Sequence, residues 1–105
     1  MERMNRALYH RGPDNAGVFS DDVITLGHTL LAIRDLPEAS AQPFTKTGSP
    51  WVLVYNGQLY NTKGLKTELG EKYANEELDT ALLFGMVEKY GWDFVSKIHG
   101  MFAIA

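Results

Sequence analysis

The sequence has 105 residues, a hydrophobic share of 45%, a charged share of 22% and a net charge of −3 at pH 7, which is the composition of one soluble globular domain with a single core. The charge balance gives no indication of a nucleic-acid partner or an anionic membrane surface, and no apolar run is long enough to cross a membrane. The chain opens with no secretion signal and contains no cysteine, so we expect a cytoplasmic location and exclude disulfides, thiolate metal sites and a cysteine nucleophile within these residues.

The first half of the sequence predicts a helix, then strands, then a loop. Apolar residues three and four positions apart favour a short amphipathic helix, and Gly12-Pro13 breaks any regular element. Two β-prone runs flank Asp21-Asp22, which suits a turn, and Pro37 ends a third run. In chain order, we expect a helix that carries Met1, Met4 and Leu8, strands over 16–20, 23–28 and 29–36, and a surface loop over 37–50.

The second half predicts a hairpin, two helices and a final strand. Asn56-Gly57 lies between two β-prone runs, and both residues tolerate the positive φ that a two-residue type I′ turn requires, so this pattern alone predicts a tight hairpin. Thr62 suits the N-cap of a short helix, and Gly91 suits the left-handed residue after a longer one. In chain order, we expect hairpin arms over 51–55 and 58–61, a helix with Leu65 and Leu69, a helix with an apolar stripe from Leu78 to Tyr90, a helical turn over 93–98 and a strand over 100–105.

The order of the predicted elements indicates the fold class. Antiparallel strand pairs followed by a block of helices are typical of an α+β domain rather than of a doubly wound parallel sheet. The last six residues are uncharged and strand-like, so we expect this chain to be a piece of a longer one; a C-terminal strand within a sheet is the alternative. His10, His28 and His99 lack metal-ligand spacing, so neither a metal nor a cofactor is expected.

Four segments together carry a resemblance to one family. They are HRGPDNAG (10–17), LGHTLLAIRDL (26–36), VYNGQLYN (54–61) and DTALLFGMVEKYGWDFVSKIHGMFAIA (79–105). In this order and spacing they resemble the glutamine amidotransferase domain of the class II, N-terminal-nucleophile type, and most of all that of glutamine-dependent asparagine synthetases. The resemblance covers nearly the whole chain.

The resemblance implies both a fold and a reaction. The fold is α+β, with two antiparallel sheets stacked between helices as α/β/β/α layers, here lacking the first, nucleophile-bearing strand, so that residues 1–105 form a single partial domain. The reaction is hydrolysis of glutamine to glutamate and ammonia, and the ammonia passes to a synthetase domain. The family's nucleophile is an N-terminal cysteine activated by its own amino group, so we predict that this chain, which has no cysteine, is inactive by itself.

The resemblance also assigns roles to individual residues around the Asn-Gly pair. The side-chain amide of Asn56 and the backbone N–H of Gly57 would form the oxyanion hole, which stabilises the negative charge that develops on the substrate oxygen. Asp79 would hold the α-ammonium of glutamine, and the position also suits a helix N-cap. Gln58 stands where relatives usually carry Glu, and as a neutral amide it keeps an acceptor but not the charge.

Leu30 is a departure from the family pattern. It stands where relatives carry the arginine that clamps the α-carboxylate of glutamine, and an apolar side chain cannot replace a bidentate guanidinium. Arg34 would point to the same face of a strand, about 13 Å further along, and is the candidate replacement for binding substrate, although at that distance a simple exchange of roles requires a bulge in the strand. In relatives Arg11 and Asp14 buttress the nucleophile end of the site; here the alternative is that they pair with each other.

Three hypotheses of function remain open. In the first, the chain is part of an asparagine-synthetase-like protein in which glutamine supplies ammonia. In the second, it is a catalytically dead amidotransferase fold used for binding or assembly, with glutamine binding weak or absent. In the third, an active hydrolase uses another nucleophile, for which Met1 offers no suitable side chain. Since a missing strand leaves backbone groups unpaired, we also expect a homo-oligomer formed through a sheet edge.

Overall fold

A computed structural model describes residues 1–33 and 38–105 of the chain. These residues form α-helices and two-stranded antiparallel sheets, so the α+β class predicted from the sequence is confirmed. The helices are α1 (Glu2–Ala7), α2 (Thr62–Leu69) and α3 (Asp79–Tyr90), and the strands are β1 (Asn15–Ser20), β2 (Thr25–Leu30), β3 (Phe44–Thr45), β4 (Val52–Leu53), β5 (Tyr55–Leu59) and β6 (Gly100–Ile104). Short 3₁₀ helices span Tyr9–Arg11, Glu71–Tyr73 and Gly91–Lys97.

The chain divides into two compact units. The first unit comprises residues 1–45, 52–54 and 105, and the second comprises residues 46–51 and 55–104. The sheets pair as β1–β2, β3–β4 and β5–β6 within the described residues, three pairs where the resemblance implies two larger sheets. Across the same residues, every helix is too short or too polar to cross a membrane.

In the first unit, β1 and β2 form an antiparallel hairpin. The Asp21 carboxylate accepts hydrogen bonds from the N–H groups of Val23 and Ile24, each at 2.8 Å. Helix α1 packs against the hairpin, where Asn5 Nδ2 donates to the carbonyl oxygen of Gly17 at 3.0 Å. A helix, two strands and a turn are therefore present as predicted, but β2 begins at Thr25 instead of residue 23. The predicted apolar face of the helix is wrong, because Met1 and Leu8 only flank α1, Met4 is 63% exposed and Asn5 is the buried residue.

Strand β2 ends at Leu30, so the strand predicted over 29–36 is wrong for residues 31–33. The reason is a side chain that takes the place of a strand partner. Asp14 Oδ2 accepts a hydrogen bond from the N–H of Ala32 at 2.7 Å. The backbone that follows β2 is therefore held by a loop carboxylate instead of by a neighbouring strand.

The loop predicted over 37–50 is only partly correct. It contains β3, which pairs antiparallel with β4, and it buries the side chains of Ser40 and Gln42. The proline-rich composition hid a short strand because its two residues lie between Pro43 and a polar turn. Residues 34–37, where the predicted strand would end, lie outside the described part of the chain.

In the second unit, Asn56 and Gly57 lie in the middle of β5, so the predicted hairpin turn is wrong. Strand β5 pairs along its whole length with β6, in a register that sets Asn56 opposite Ala103 and Gly57 opposite Phe102. Glycine is required at 57 because a Cβ atom there would clash with the carbonyl oxygen of Met101. Pairing with a strand distant in sequence therefore replaces the local turn.

Asn61 ties the start of α2 to the segment before β6. Its Nδ2 donates to the carbonyl oxygen of Lys97 at 2.9 Å, and its Oδ1 accepts from the N–H of His99 at 2.9 Å. Helix α2 begins at Thr62, so Thr62 is the first helical residue and not the predicted cap. Asn61 occupies the cap position but uses its side chain for this longer-range contact.

The core of the second unit lies between β5 and the two helices. Helix α3 packs against both α2 and β5, and the middle of its predicted apolar stripe is buried, while the end residues Leu78 and Tyr90 are half-buried. Gly91 has the positive φ predicted for the residue after this helix, 57°, but its ψ of −141° lies outside the left-handed helical region, so the predicted left-handed cap is only partly correct. The buried apolar residues of this unit are Tyr55, Leu59, Leu65, Leu82, Leu83, Phe84, Met86, Val87, Phe94 and Ile98.

We predict opposite effects for two glycine-to-alanine substitutions. Gly57→Ala forces a methyl group into the backbone of β6 and should lower the free energy of unfolding by about 1–3 kcal/mol. Gly64→Ala is the matched control, because Gly64 lies in α2 with nothing within 4 Å of a Cβ atom, and should raise it by about 0.5–1 kcal/mol. Urea unfolding measures both, and equal effects would contradict the close approach of β6.

Candidate functional site

Asp79 begins α3, and its carboxylate reaches β5. Its Oδ2 accepts hydrogen bonds from the N–H of Leu59 at 2.9 Å and from the hydroxyl of Tyr55 at 3.3 Å. The N-cap position belongs to Leu78, and no side chain caps this helix, so the N-cap interpretation of Asp79 is wrong. Within the described residues, nothing donates to the other oxygen, Oδ1, and Asp79 forms no ion pair.

The backbone N–H of Gly57 lies at the edge of β5 that β6 does not use. Tyr60 donates its N–H to the carbonyl oxygen of His99 at 2.8 Å, and the register is regular, so the even-numbered residues of β5 make the bonds to β6. The odd-numbered Gly57 and Leu59 direct their N–H groups to the opposite edge. Leu59 meets Asp79 there, whereas Gly57 is exposed, and no described residue accepts its N–H.

We call this arrangement the β5 edge site, defined by the Gly57 N–H, the Leu59 N–H and the Asp79 carboxylate. The side chains of Asn56 and Gln58 project from one face of the same strand, where both are exposed. Three residues that the sequence assigns to oxyanion stabilisation and substrate binding thus follow one another along β5, and Asp79 lies against the end of that strand.

Tyr55 is a site neighbour that the sequence analysis missed. Burial raises the pKa of Tyr55 above its ordinary value of 10.0, and the charge and hydrogen bond of Asp79 raise it further. The hydroxyl therefore stays protonated and remains a donor to Asp79. Tyr55 and Leu59 are the two buried residues of β5, one at each end, and the contact with Asp79 follows only from the packing of this strand against α3.

The remaining predicted residues belong to the first unit. Asp14 accepts from the backbone of Ala32, and Arg11 is exposed and forms no ion pair with Asp14 among the residues described, so the alternative that they pair with each other is wrong. Leu30 is half-buried at the end of β2. Arg34 lies outside the described residues, and its role as a replacement clamp stays a prediction.

Other possible binding features lie away from these residues. Over residues 1–33 and 38–105, no group of three or more His, Asp or Glu side chains is arranged to hold a metal ion. An open surface cleft of about 450 Å³ includes none of the residues predicted for the site. It is lined by Lys63, Lys66, Thr67, Gly70, Glu71 and Ala74.

Comparison with known proteins defines the class. The family profile described as "Glutamine amidotransferase domain" matches the chain over residues 1–105. The chain therefore belongs to the glutamine amidotransferase family, and its relatives place it with the class II domains of asparagine synthetases, as the sequence segments predict.

Three relatives illustrate the relationship. Asparagine synthetase B (glutamine-hydrolyzing) of Escherichia coli is 34% identical over 103 residues, which are 97% of this chain and 18% of that protein. Asparagine synthetase (glutamine-hydrolyzing) 3 of Bacillus subtilis is 36% identical over 110 residues, covering 100% of this chain and 18% of that protein. Asparagine synthetase (glutamine-hydrolyzing) 2 of Oryza sativa subsp. japonica is 35% identical over 100 residues, 95% of this chain and 17% of the relative. The chain thus spans less than a fifth of the length of these proteins.

The contact between Tyr55 and Asp79 predicts how stability changes in alkaline solution. The pKa of Tyr55 is higher in the folded chain than in the unfolded chain. The protonated hydroxyl therefore makes its full contribution to the free energy of unfolding below pH 10.0. This contribution is lost as the pH rises above that value, because the unfolded chain then releases the proton first. Between pH 8.5 and pH 11, the wild type should lose about 1.4 kcal/mol more unfolding free energy than Tyr55→Phe.

Tyr60→Phe is the matched control for this measurement, because Tyr60 lies next to β5 but is 62% exposed. Denaturant unfolding at both pH values should give this variant the same pH dependence as the wild type. A Tyr55→Phe protein that also matched the wild type would show that the hydroxyl is not held by Asp79.

Proposed function

We propose that this chain is the glutamine-binding and oxyanion-stabilising part of a glutamine amidotransferase that supplies ammonia in an asparagine-synthetase-like protein. The observation that carries the proposal is the β5 edge site, where a backbone donor and a carboxylate lie along one free strand edge. The names of the relatives, which describe glutamine-hydrolyzing asparagine synthetases, support the choice of substrate and of a partner synthetase domain.

The spacing within the β5 edge site suits the length of glutamine. Gly57 N–H and Leu59 N–H, two residues apart, are separated by roughly 7 Å along a strand, and Asp79 lies against Leu59. In extended glutamine, five bonds separate the α-nitrogen from the amide oxygen, a span of about 6 Å from standard bond lengths. An ammonium group at Asp79 would therefore bring the amide oxygen within reach of Gly57.

The chemistry at Gly57 follows from that placement. Attack on the amide carbon moves negative charge onto its oxygen, and hydrogen bonds from the Gly57 N–H and the Asn56 side-chain amide stabilise that charge more than they stabilise the ground state. The class uses a cysteine nucleophile, and these 105 residues contain none. Within this proposal the chain binds and polarises the amide, and does not itself attack it.

The proposal extends to the architecture and the location. We propose that residues 1–105 are one partial domain of the N-terminal-nucleophile type, in which the antiparallel strand pairs belong to two stacked sheets between helices. The antiparallel pairing of all three sheets supports this arrangement. The cytoplasmic location stays a prediction from the sequence.

Exposed apolar residues on β6 favour the second candidate function, an assembly module without catalysis. Met101 is 70% exposed and Phe102 is 39% exposed, although they are neighbours in a strand and point to opposite faces. The outer edge of β6 carries no charged side chain to discourage pairing with another strand. A second copy of the chain is the proposed partner.

We predict that the purified chain binds glutamine weakly at the β5 edge site and releases no glutamate. Titration of the ¹⁵N-labelled protein with excess glutamine should shift the amide signals of Gly57 and Leu59, and Asp79→Asn should remove these shifts. A glutamate assay on the same samples should match a heat-killed control. Turnover would reveal another nucleophile, while shifts confined to other residues would show that the site is assigned wrongly.

For the assembly function, we predict a dimer formed through β6. Light scattering after size exclusion, across a dilution series, should give twice the 11.8 kDa chain mass at high concentration. Met101→Lys places a charge on β6 and should yield the monomer. Met4→Lys changes an equally apolar residue of α1, 63% exposed, and should leave the dimer intact. A wild-type monomer at every concentration would contradict strand-edge assembly.

A further inference from the structure

At the β5 edge site, Asp79 can bind the positively charged group of a ligand. None of the described residues of the site carries a positive charge that could bind a negatively charged group of the same ligand. Asp79 Oδ2 is occupied by Leu59 and Tyr55, whereas Oδ1 receives no hydrogen bond from the described residues. An ammonium ion, with three donors and a positive charge, is the group that complements such a carboxylate oxygen. The carboxylate therefore selects for a primary amine.

Most positive charges of the second unit are engaged away from Asp79. All four arginines of the sequence precede residue 35, so the cationic side chains of this unit are its lysines and His99. Five lysines contact other groups: Lys46 with Glu88, Lys66 with Glu77, Lys97 with Glu68, Lys89 with the Glu68 carbonyl oxygen, and Lys72 with the Tyr73 ring. Among the described residues no cation forms an ion pair with Asp79, so none stands beside it to neutralise a ligand carboxylate.

An α-amino acid bound at Asp79 would place its own negatively charged carboxylate near that residue, without a cation beside it. Its carboxylate is attached to the carbon that bears the ammonium group, so it would lie only about 5 Å from the Asp79 carboxylate, within a Debye length at ordinary ionic strength. Two like charges at that distance near a protein surface repel enough to lower affinity by roughly tenfold. The same ligand without its α-carboxylate avoids this repulsion and keeps both other contacts.

We propose that the β5 edge site prefers ω-amino carboxamides that lack an α-carboxylate over glutamine, with 4-aminobutanamide as the simplest member of the class. This inference rests on the proposed function, because it concerns the same site. Five bonds separate the nitrogen and the amide oxygen in 4-aminobutanamide, as in glutamine, so the ammonium group meets Asp79 while the amide oxygen meets the Gly57 N–H. Removing one methylene shortens the span by about 1.3 Å, which breaks one of the two contacts.

The test is an NMR titration of the complete ¹⁵N-labelled chain with four small molecules. We expect 4-aminobutanamide to shift the Gly57 and Leu59 amide signals with an affinity at least about tenfold higher than that of L-glutamine. The shorter 3-aminopropanamide and the uncharged butanamide should bind at least about tenfold more weakly than 4-aminobutanamide. Butanamide tests the need for the ammonium group in the unaltered protein, so the result does not depend on the folding of a variant.

Two variants complete the experiment. Asp79→Asn should abolish the preference for the amine, provided that its amide spectrum retains the dispersion of the folded protein. Asp93→Asn, the same change at an exposed carboxylate of the second unit outside the site, should leave the preference unchanged. If instead glutamine binds the wild type as tightly as 4-aminobutanamide or more tightly, the inference is wrong while the proposed function stands, and loss of glutamine affinity in Arg34→Ala would identify the cation responsible. If neither ligand shifts Gly57 or Leu59, both the inference and the proposed function fail.

Discussion

The pairing of β5 with β6 is the constraint on which the second unit depends. It holds Asn56 and Gly57 in an extended strand, and it fixes which backbone groups point inward to β6 and which point to the free edge. The same alternation buries Tyr55 and Leu59, which places the Leu59 N–H and the Tyr55 hydroxyl against Asp79 at the start of α3. One register thus determines both the packing of the core and the geometry of the site.

Local pattern predicted much of the fold because many elements follow from their own residues. The stripe of α3 has helical period, Gly91 adopts the positive φ at its end, and Asp21 closes the β1–β2 turn with its own side chain. The Asn-Gly prediction failed for the opposite reason. A type I′ turn is a local preference, and here two non-local interactions replace it: backbone pairing of β5 with a strand more than 40 residues away, and burial of Tyr55 and Leu59 against the helices.

Some residues of the candidate site were predicted from the sequence and others were not, depending on whether local pattern or a distant contact places them. Asn56, Gly57 and Asp79 were identified through the family segments, and membership of that family is now established. Their roles stay predictions; the structure shows that Asn56 and Gly57 lie in β5 and that Asp79 accepts a hydrogen bond from the end of the same strand. Tyr55 could not be found from sequence, because its contact with Asp79 depends on the packing of β5 against α3. The departure at Leu30 was visible at once, since it needs only a comparison of residue types.

The side chain of Asn61 has a consequence for the entropic cost of folding. Its bonds to Lys97 and His99 close a loop of 36 to 38 residues that contains both α2 and α3. Closing such a loop has an entropic cost that is smaller once the intervening helices have collapsed against each other, since they shorten the chain between its ends. The packing of α2 against α3 therefore lowers the entropic cost of bringing β5 to β6, so the helix pair supports the strand that carries the candidate site as well as the core.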